Sequence, residues 1–307
     1  MKFLNMDIPL YGKVPSYPSF RTLDKSDKPL FDREFRDNPP EISEYTFTNI
    51  YAWRQVYKFR ISLLDGFIIL LGDKESSPQF FNPIGSGDPT KPILRIINDT
   101  HAVFVRIPEP VKDVIGADKN LTADYDQDNS DYVFSVQDLV TLKGKKYDGK
   151  RNLIRKFKSL HPYEYIRLKA ADIKECLDFE EGWCRIKDCD GIESLSEERG
   201  AIRQMLENFS DFNLIGAAIR AEGRICAVAL AEKLNPETLV MHALKADPGM
   251  GGLYQAMNNE FMTREAADFK YVNMEQDLGV EGLRKAKLSY HPAKMIKKYT
   301  LRLSGTA

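Results

Sequence analysis

The chain has 307 residues with a formal net charge of −1, and 43% of its residues are hydrophobic and 29% charged. This length is typical of two domains that each bury a core, and the near-zero charge excludes a global field that attracts nucleic acid or an anionic membrane. Asp7 and Pro9 interrupt the N-terminal apolar residues, so no signal peptide is expected, and the longest apolar strand-like run, residues 67–71, is too short to cross a bilayer. These features predict a soluble, cytoplasmic protein.

In chain order, the first half predicts helices followed by an antiparallel meander and a strand–helix–strand crossover. Asp65-Gly66 is a strong hairpin signal, because both residues accept the backbone conformation of a tight turn. The predicted order is two helices (residues 26–36 and 45–57), a hairpin (58–64 and 67–71), a strand (79–83), a Gly85-Ser86-Gly87 turn, a helix (90–98) and a strand (102–107).

The second half repeats this order. It predicts two helices (171–187 and 196–209), a hairpin (212–220 and 224–232), a strand (238–244), a glycine turn, a helix from residue 253 and a strand (271–274). Five elements that match in order favour two similar domains. We expect an α/β fold with tandem domains at residues 1–135 and 136–307, each a mixed, mostly antiparallel sheet flanked by helices. The first is expected to be structural and the second to carry the site.

The cysteines and histidines show no metal-binding pattern. There is no CxxC pair or closely spaced histidine pair, and the cysteine spacings fit no common zinc site. We therefore predict no metal, and we predict buried free thiols in a reducing compartment for Cys176, Cys184, Cys189 and Cys226.

The glycine turn between the second crossover strand and its helix is the first candidate site. Gly249, Gly251 and Gly252 precede a helix with Leu253, Met257 and Phe261 on one face. A glycine turn at a helix N-terminus leaves N–H groups and a positive dipole end that suit a phosphate or another anion. The alternative is that the glycines only let strand and helix pack closely.

A basic segment between the halves is the second candidate. Residues 143–158 hold eight basic side chains against one acid, Asp148: Lys143, Lys145, Lys146, Lys150, Arg151, Arg155, Lys156 and Lys158. A helix at 149–160 is predicted to pack through Leu153, Phe157 and Leu160. Such a segment suits the phosphates of a nucleotide, a tRNA end or a lipid head group, or it is a solvated helix face.

The third candidate lies where the strand predicted at 271–274 ends. Asn273, Glu275 and Asp277 alternate, so they share one side while the strand lasts. The carboxyl end of such a strand faces the crevice where α/β proteins bind ligands, and a glutamate there can accept a proton or hold an ammonium group. Alternatively, Glu275 and Asp277 pair with Arg284, Lys285 or Lys287 as a structural network.

Two dense motifs resemble a known family. The first spans Asp138-Leu139, Gly144-Lys145 and Gly149-Lys150-Arg151-Asn152, and the second spans Glu275 to Gly279, Gly282-Leu283-Arg284 and Ser289-Tyr290. They are similar to the C-terminal catalytic domain of phosphatidylglycerol lysyltransferases and its stand-alone relatives, over nearly the whole chain. The resemblance implies tandem GNAT domains without a permanently bound cofactor.

The same resemblance implies transfer of an acyl or aminoacyl group from acyl-CoA or aminoacyl-tRNA. The acceptor would be an amine or hydroxyl group on a small molecule, peptide or lipid head group. The membrane-spanning half of the lysyltransferases is absent from this sequence, which disfavours a lipid acceptor. The usual pyrophosphate loop has Gln or Arg three residues before its first glycine, and Ala246 at that position disfavours ordinary acetyl-CoA binding.

These patterns together assign hypothetical roles. The backbone N–H groups of the glycine turn would face the acyl or aminoacyl donor, and hydrogen-bond donors of this kind would stabilise the oxyanion. Glu275 would be the general base or the acceptor's anchor. Tyr290 or a water would protonate the leaving group. Lys150 and Arg151 would contact a phosphate-bearing donor, with Asn152 orienting them.

Arg284 and Lys287 would join the donor contact or pair with Glu275, with Asn273 and Asp277 in support. Two alternatives remain open: a CoA-dependent N-acetyltransferase of a small amine or peptide, and a non-catalytic binding module with this fold.

Overall fold

The computed structural model describes residues 11–74, 76–116 and 118–305, so the predictions that concern Asp7 and Pro9 lie outside the described residues. The described chain divides into two compact units. Unit 1 comprises residues 11–131 together with 296–305, and unit 2 comprises residues 132–295.

Unit 1 is a mixed sheet flanked by helices. Its described strands are β1 (Arg21–Thr22), β2 (Arg60–Leu64), β3 (Phe67–Lys74), β4 (Ser77–Phe81), β5 (Val103–Pro108), β6 (Leu121–Tyr125) and, from the far end of the chain, β14 (Lys298–Leu303). Its described helices are α1 (Lys28–Asp37), α2 (Phe47–Ala52), α3 (Arg54–Tyr57), α4 (Thr90–Thr100) and α5 (Glu109–Ile115). The sheet order is β1-β2-β3-β4-β5-β14-β6, and only β4 and β5 pair in parallel, across the crossover helix α4.

Unit 2 has the same plan. Its described strands are β7 (Asp131–Ser135), β8 (Tyr163–Arg167), β9 (Ile215–Ala221), β10 (Arg224–Asn235), β11 (Thr238–Ala246), β12 (Tyr271–Asn273) and β13 (Lys294–Ile296). Its described helices are α6 (Val136–Thr141), α7 (Asp148–Leu160), α8 (Ile173–Lys187), α9 (Glu193–Glu207), α10 (Leu253–Arg264) and α11 (Glu281–Leu288). The order is β13-β7-β12-β11-β10-β9-β8, and the parallel pair β11 and β12 is joined by α10. The predicted α/β fold with two mixed sheets is confirmed.

Local sequence signals explain the elements that position the site. The hairpin turns at Asp65-Gly66 and Glu222-Gly223 have positive φ at all four residues, the conformation that a tight two-residue turn requires. On α10, the predicted stripe of Leu253, Met257 and Phe261 is fully buried in the core of unit 2, where the helix packs on β10 and β11. This burial fixes the helix against the sheet.

The domain boundaries differ from those predicted. Unit 2 begins at Tyr132 rather than at residue 136, and the last strand belongs to unit 1, where β14 lies between β5 and β6. Strand β14 pairs with β5 and β6, and the fully buried ammonium of its first residue, Lys298, lies 2.6 Å from Asp131 and 2.5 Å from Glu44. A prediction based on sequence order assigned this strand to the nearer domain.

Three helix predictions need correction. Helix α9 begins at Glu193 rather than Ser196, and the helix predicted at 45–57 is divided at Trp53 into α2 and α3. On α7, Phe157 is buried as predicted, but Ile154 is its partner in the core, whereas Leu153 and Leu160 are exposed.

The prediction of four free thiols is wrong for two of them. Cys184 and Cys189 form a disulfide with their Cα atoms 5.0 Å apart, while Cys176 and Cys226 are free and buried. Asp188 takes the left-handed conformation at the end of α8 and turns the chain back, which brings Cys189 to the helix end. Such a turn is not visible in cysteine spacing. In the described part of the chain, no helix combines the length and apolarity that a bilayer span needs.

Candidate active site

The centre of unit 2 is the place where two parallel strands part. β11 pairs with β12 only from Thr238 to Val240, and it then continues to Ala246 while β12 ends at Asn273. On its other side, β11 carries a bulge: Met241 pairs with Ala231 and Ala243 pairs with Leu230, so His242 has no partner in β10. Bulges of this kind redirect a side chain and recur next to active sites.

His242 is held between two carboxylates. Its Nδ1 lies 2.9 Å from Oε1 of Glu275 and its Nε2 lies 2.8 Å from Oε1 of Glu232. Burial alone would lower the pKa of this fully buried ring, but hydrogen bonds and charge from the two glutamates outweigh it and raise the pKa from 6.5 to about 9. His242 is therefore an imidazolium at neutral pH and donates from both ring nitrogens.

Glu275 lies just past the end of β12, and its backbone is held as firmly as its side chain. Its φ is +58°, its N–H donates to Oδ1 of Asn273 at 2.8 Å, and its carbonyl accepts from the N–H of Tyr132 at 3.1 Å. Its side chain keeps 20% of its surface exposed, whereas that of His242 is fully covered. Glu232, His242 and Glu275 form a charged group, and Glu275 is the member that combines an anchored position with access to a ligand.

Asp277 lies in a different network. Its carboxylate accepts two hydrogen bonds from Arg284, at 2.7 and 2.8 Å, and others from the Tyr132 hydroxyl and the Gly279 N–H. Burial opposes the charge, but Arg284 and Tyr132 prevail and lower the pKa of Asp277. Lys287 donates to the carbonyls of Met274 and Gln276. Asp277 and Arg284 thus form a pair of the kind that the structural alternative predicted, and Glu275 pairs with His242.

The glycine turn is partly occupied by the chain itself. The N–H of Gly249 donates to Oδ1 of Asp247 at 2.9 Å, so it is already engaged. Gly252 has φ +91°, and a Cβ there would collide with the backbone carbonyl of Leu153 on α7, which shows that close packing requires this glycine. Among the glycines of the turn, Gly251 and Gly252 keep N–H groups that are available to an anion.

Tyr290 and Lys150 lie together. The Lys150 ammonium is 2.7 Å from the Ser289 hydroxyl and 4.0 Å from the centre of the Tyr290 ring. The Tyr290 hydroxyl faces Asn258 in the core without closing a hydrogen bond of good geometry, and burial raises its pKa well above the usual value.

Arg151 and Asn152 serve the local structure of α7. Arg151 donates to the carbonyls of Leu142 and Gly144 and pairs with Asp148, which fastens the loop before the helix. Asn152 accepts from Arg155 rather than orienting Lys150 or Arg151. Arg151 and Asn152 are thus engaged locally, and burial lowers the pKa of Lys150, the third residue of the predicted phosphate-contact group.

Sequence reasoning missed His242 and Glu232. His242 was visible as the one polar residue inside the apolar run at residues 239–244, and Glu232 ends the strand predicted at 224–232. Neither signal is specific, because the bulge that turns His242 toward Glu232 depends on strand register. In the described residues, no group of three or more His, Cys, Asp or Glu side chains is arranged to hold a metal ion.

Comparison with known proteins identifies the family. Residues 35–302 match the family model of the phosphatidylglycerol lysyltransferase C-terminal domain. The chain belongs to this family. The resemblance carried by the two motifs is confirmed, and so is the fold of two tandem GNAT-like domains.

Solved structures agree with the family. A conserved protein of unknown function from Bacteroides thetaiotaomicron is 31% identical, with a TM-score of 0.86 over 93% of this chain and 99% of that chain. The C-terminal domain of a putative lysylphosphatidylglycerol synthetase from Agrobacterium fabrum is 14% identical, with a TM-score of 0.66 over 91% and 92%. L-PGS from Bacillus licheniformis is 12% identical, with a TM-score of 0.65 over 94% of both chains. No curated protein matches the sequence. Family and fold together indicate an acyltransferase-like protein.

Proposed function

We propose that unit 2 transfers an acyl or aminoacyl group from acyl-CoA or aminoacyl-tRNA to an amine or hydroxyl acceptor. The observation that carries the proposal is the charged group at the parted strands, where Glu232 and His242 hold the partly exposed Glu275 beside the opening between β11 and β12. Family membership supports the reaction class, and the strand geometry supports the place.

In this proposal, Glu275 accepts a hydrogen bond from the acceptor's N–H or O–H. The acceptor's lone pair attacks the donor carbonyl while its proton passes to Glu275, the bond to the thiol or ribose oxygen breaks, and Glu275 returns that proton to the leaving group through a water. Because His242 is positively charged and buried, it neutralises part of the charge near Glu275 and fixes the carboxylate for this role. Asn273 positions Glu275 through its backbone N–H.

The remaining residues act on the donor. The N–H groups of Gly251 and Gly252 at the start of α10 suit a phosphate of the donor, and backbone N–H groups of this kind stabilise developing negative charge. Lys150 supplies a positive charge near this turn. It lies on α7, and the backbone carbonyl of Leu153 on the same helix lies against Gly252. Tyr290 packs beside Lys150 and takes no part in the proton transfer.

Glu275→Gln tests the proposal directly. We expect transfer from the true donor, followed by mass spectrometry of the acceptor, to fall about 10²-fold or more, since an acid–base group typically contributes about 10²–10⁴-fold. Glu193→Gln removes an exposed carboxylate on α9 and serves as the matched control. Full activity in Glu275→Gln would remove Glu275 from the chemistry.

A binding module without catalysis is the second candidate, and Asp247 favours it. Its carboxylate already holds the Gly249 N–H and pairs with Arg224 at 2.7 Å, which places negative charge on the loop where a phosphate would lie. Under this candidate, purified protein yields no product with acyl-CoA or aminoacyl-tRNA, while thermal stabilisation by a ligand persists.

A further inference from the structure

Unit 2 contains a cavity that the proposed reaction does not use. It has a volume of about 310 Å³ and lies between α8 and the adjoining ends of β10 and β11. Five apolar side chains form most of its wall: Phe179, Trp183, Ile186, Ile225 and Pro248. Its size matches the lower end of small-molecule sites.

Trp183 gives the cavity a fixed aromatic wall. Its Nε1–H donates to the carbonyl of Ala246 at 3.0 Å, and the Lys245 ammonium lies 4.0 Å from the centre of its ring. Lys245 is itself held by Glu198 at 2.6 Å. A ring fixed in this way binds another flat ring with little loss of side-chain freedom.

The polar rim of the cavity is balanced in charge. Asp247 pairs with Arg224 at 2.7 Å, and Glu175 accepts from the Ile225 N–H at 3.0 Å and pairs with Arg220. Asp178 is different: its Oδ2 accepts from the exposed Lys174 at 3.1 Å, and its Oδ1 bonds to no other group in the described chain. The rim therefore selects neither a strong cation nor a strong anion, and it offers a carboxylate oxygen to a hydrogen-bond donor.

The position of the cavity links it to the donor loop. Asp247 and Pro248 form one wall, and they begin the turn that ends with Gly251 and Gly252. A ligand in the cavity thus lies at the loop proposed to hold the donor's phosphate. Acyl-CoA and aminoacyl-tRNA both carry a terminal adenosine. Its adenine is an uncharged flat ring with amino hydrogens at its edge.

We propose that this cavity binds the adenine of the donor, stacked on Trp183 with its amino group donating to Asp178. The inference rests on the proposed function for the identity of the donor, but adenosine binding is measured without any transfer reaction.

The fluorescence of Trp183 reports the stacking. The chain has two tryptophans, and Trp53→Phe leaves Trp183 as the sole reporter. Adenosine is expected to quench this fluorescence to saturation, because a stacked base contacts the indole ring. Inosine carries an oxygen in place of the amino group, so it is expected to bind at least about threefold more weakly.

Variants locate the binding in the cavity. By equilibrium dialysis with labelled adenosine, Trp183→Ala is expected to weaken binding about tenfold or more, whereas Trp183→Phe keeps a flat ring and most of the affinity. Asp178→Ala is expected to remove the preference for adenosine over inosine, and Glu193→Ala, the loss of an exposed carboxylate on α9, is expected to change neither.

Two further probes distinguish the source of the adenosine. Tighter binding of CoA than of a CCA trinucleotide assigns the cavity to a CoA donor, and the reverse assigns it to the tRNA end. Absence of quenching by all adenosine probes, or equal binding of adenosine and inosine, overturns the proposal. Failure of Glu275→Gln to lower transfer affects only the proposed function, because it leaves adenosine binding unchanged.

Discussion

At the scale of single residues, the charge on His242 makes the free energy of unfolding fall as the pH becomes alkaline. Its folded pKa, about 9, lies above the ordinary 6.5, so its stabilisation is fully present below pH 6.5 and is lost as pH rises through 9. A shift of this size corresponds to about 3 kcal/mol at most. We expect urea unfolding to show a decline in the free energy of unfolding between pH 7 and 10.

His242→Gln is the matching variant. It should be less stable at pH 7, because it leaves Glu232 and Glu275 without their shared cation, and its stability should decline less between pH 7 and 10. An unchanged pH slope would show that His242 is neutral in the folded protein.

Glu180 lowers the stability of the folded protein at neutral pH, whereas His242 raises it. It is 4% exposed on α8, its Oε1 has no hydrogen-bond partner among the described residues, and burial raises its pKa from 4.5 to about 7 despite the nearby Lys245. Because the folded pKa is raised, this carboxyl costs no stability below pH 4.5, destabilises progressively as pH rises from 4.5 to 7, and costs the full amount above pH 7. Compared with the unmodified chain, Glu180→Gln should therefore be stabilised by roughly 1–3 kcal/mol more at pH 8 than at pH 4.5.

The measurement for Glu180 is the pH dependence of the melting temperature, compared between the variant and the unmodified chain. Glu181, the next residue, pairs with Arg203 at 2.6 Å on the surface, so Glu181→Gln is the control and should have little effect. Equal shifts for both variants at all pH values would refute the burial argument.

At the scale of elements, the close contact between the glycine turn and α7 requires a glycine at position 252. Gly252→Ala should destabilise the chain by about 1–3 kcal/mol, because φ is +91° and the added Cβ collides with the Leu153 carbonyl. Gly251→Ala is the matched control, since a Cβ there meets open space. Urea midpoints that fall equally for both would show that turn flexibility, not packing, is what the glycines provide.

Most elements follow from local signals in the sequence, and their partners do not. The hairpin at Asp65-Gly66 and the buried stripe on α10 are set by residues close together in the chain, so pattern and propensity predict them. The charged group at the parted strands joins residues 10 and 33 positions apart through a bulge. Single-residue patterns carry no information on that register, which is why Glu275 was predicted and its partner His242 was missed.

At the scale of the whole molecule, the tandem plan was predictable because the order of elements repeats. The return of β14 to unit 1 was not, because strand pairing between residues as distant as Ile107 and Tyr299 leaves no local signal. A buried ion cluster accompanies this pairing: the side chains of Lys298 and Asp131 are fully covered, and Glu44 keeps 16% of its side chain exposed. Paired buried charges contribute little net stability, but removing one partner is costly, so such a cluster penalises every alternative position of the strand.

Lys298→Ala is expected to destabilise unit 1 by about 3–5 kcal/mol, since it removes the buried cation beside the fully buried Asp131, while Glu44 keeps its pair with Arg106 at 2.9 Å. Hydrogen exchange followed by mass spectrometry measures where protection is lost. We expect faster exchange in β5, β6 and β14, and unchanged exchange in β9, β10 and β11, because each unit has its own hydrophobic core.

Lys297→Ala supplies the control for this experiment. It removes the neighbouring exposed ammonium, which pairs with Glu109 at 2.8 Å, and should cost no more than about 1 kcal/mol. Loss of protection in both units of Lys298→Ala would show that they unfold as one cooperative body. Wild-type protection in β14 would show that apolar contacts, and not the buried lysine, hold the end of the chain in the first sheet.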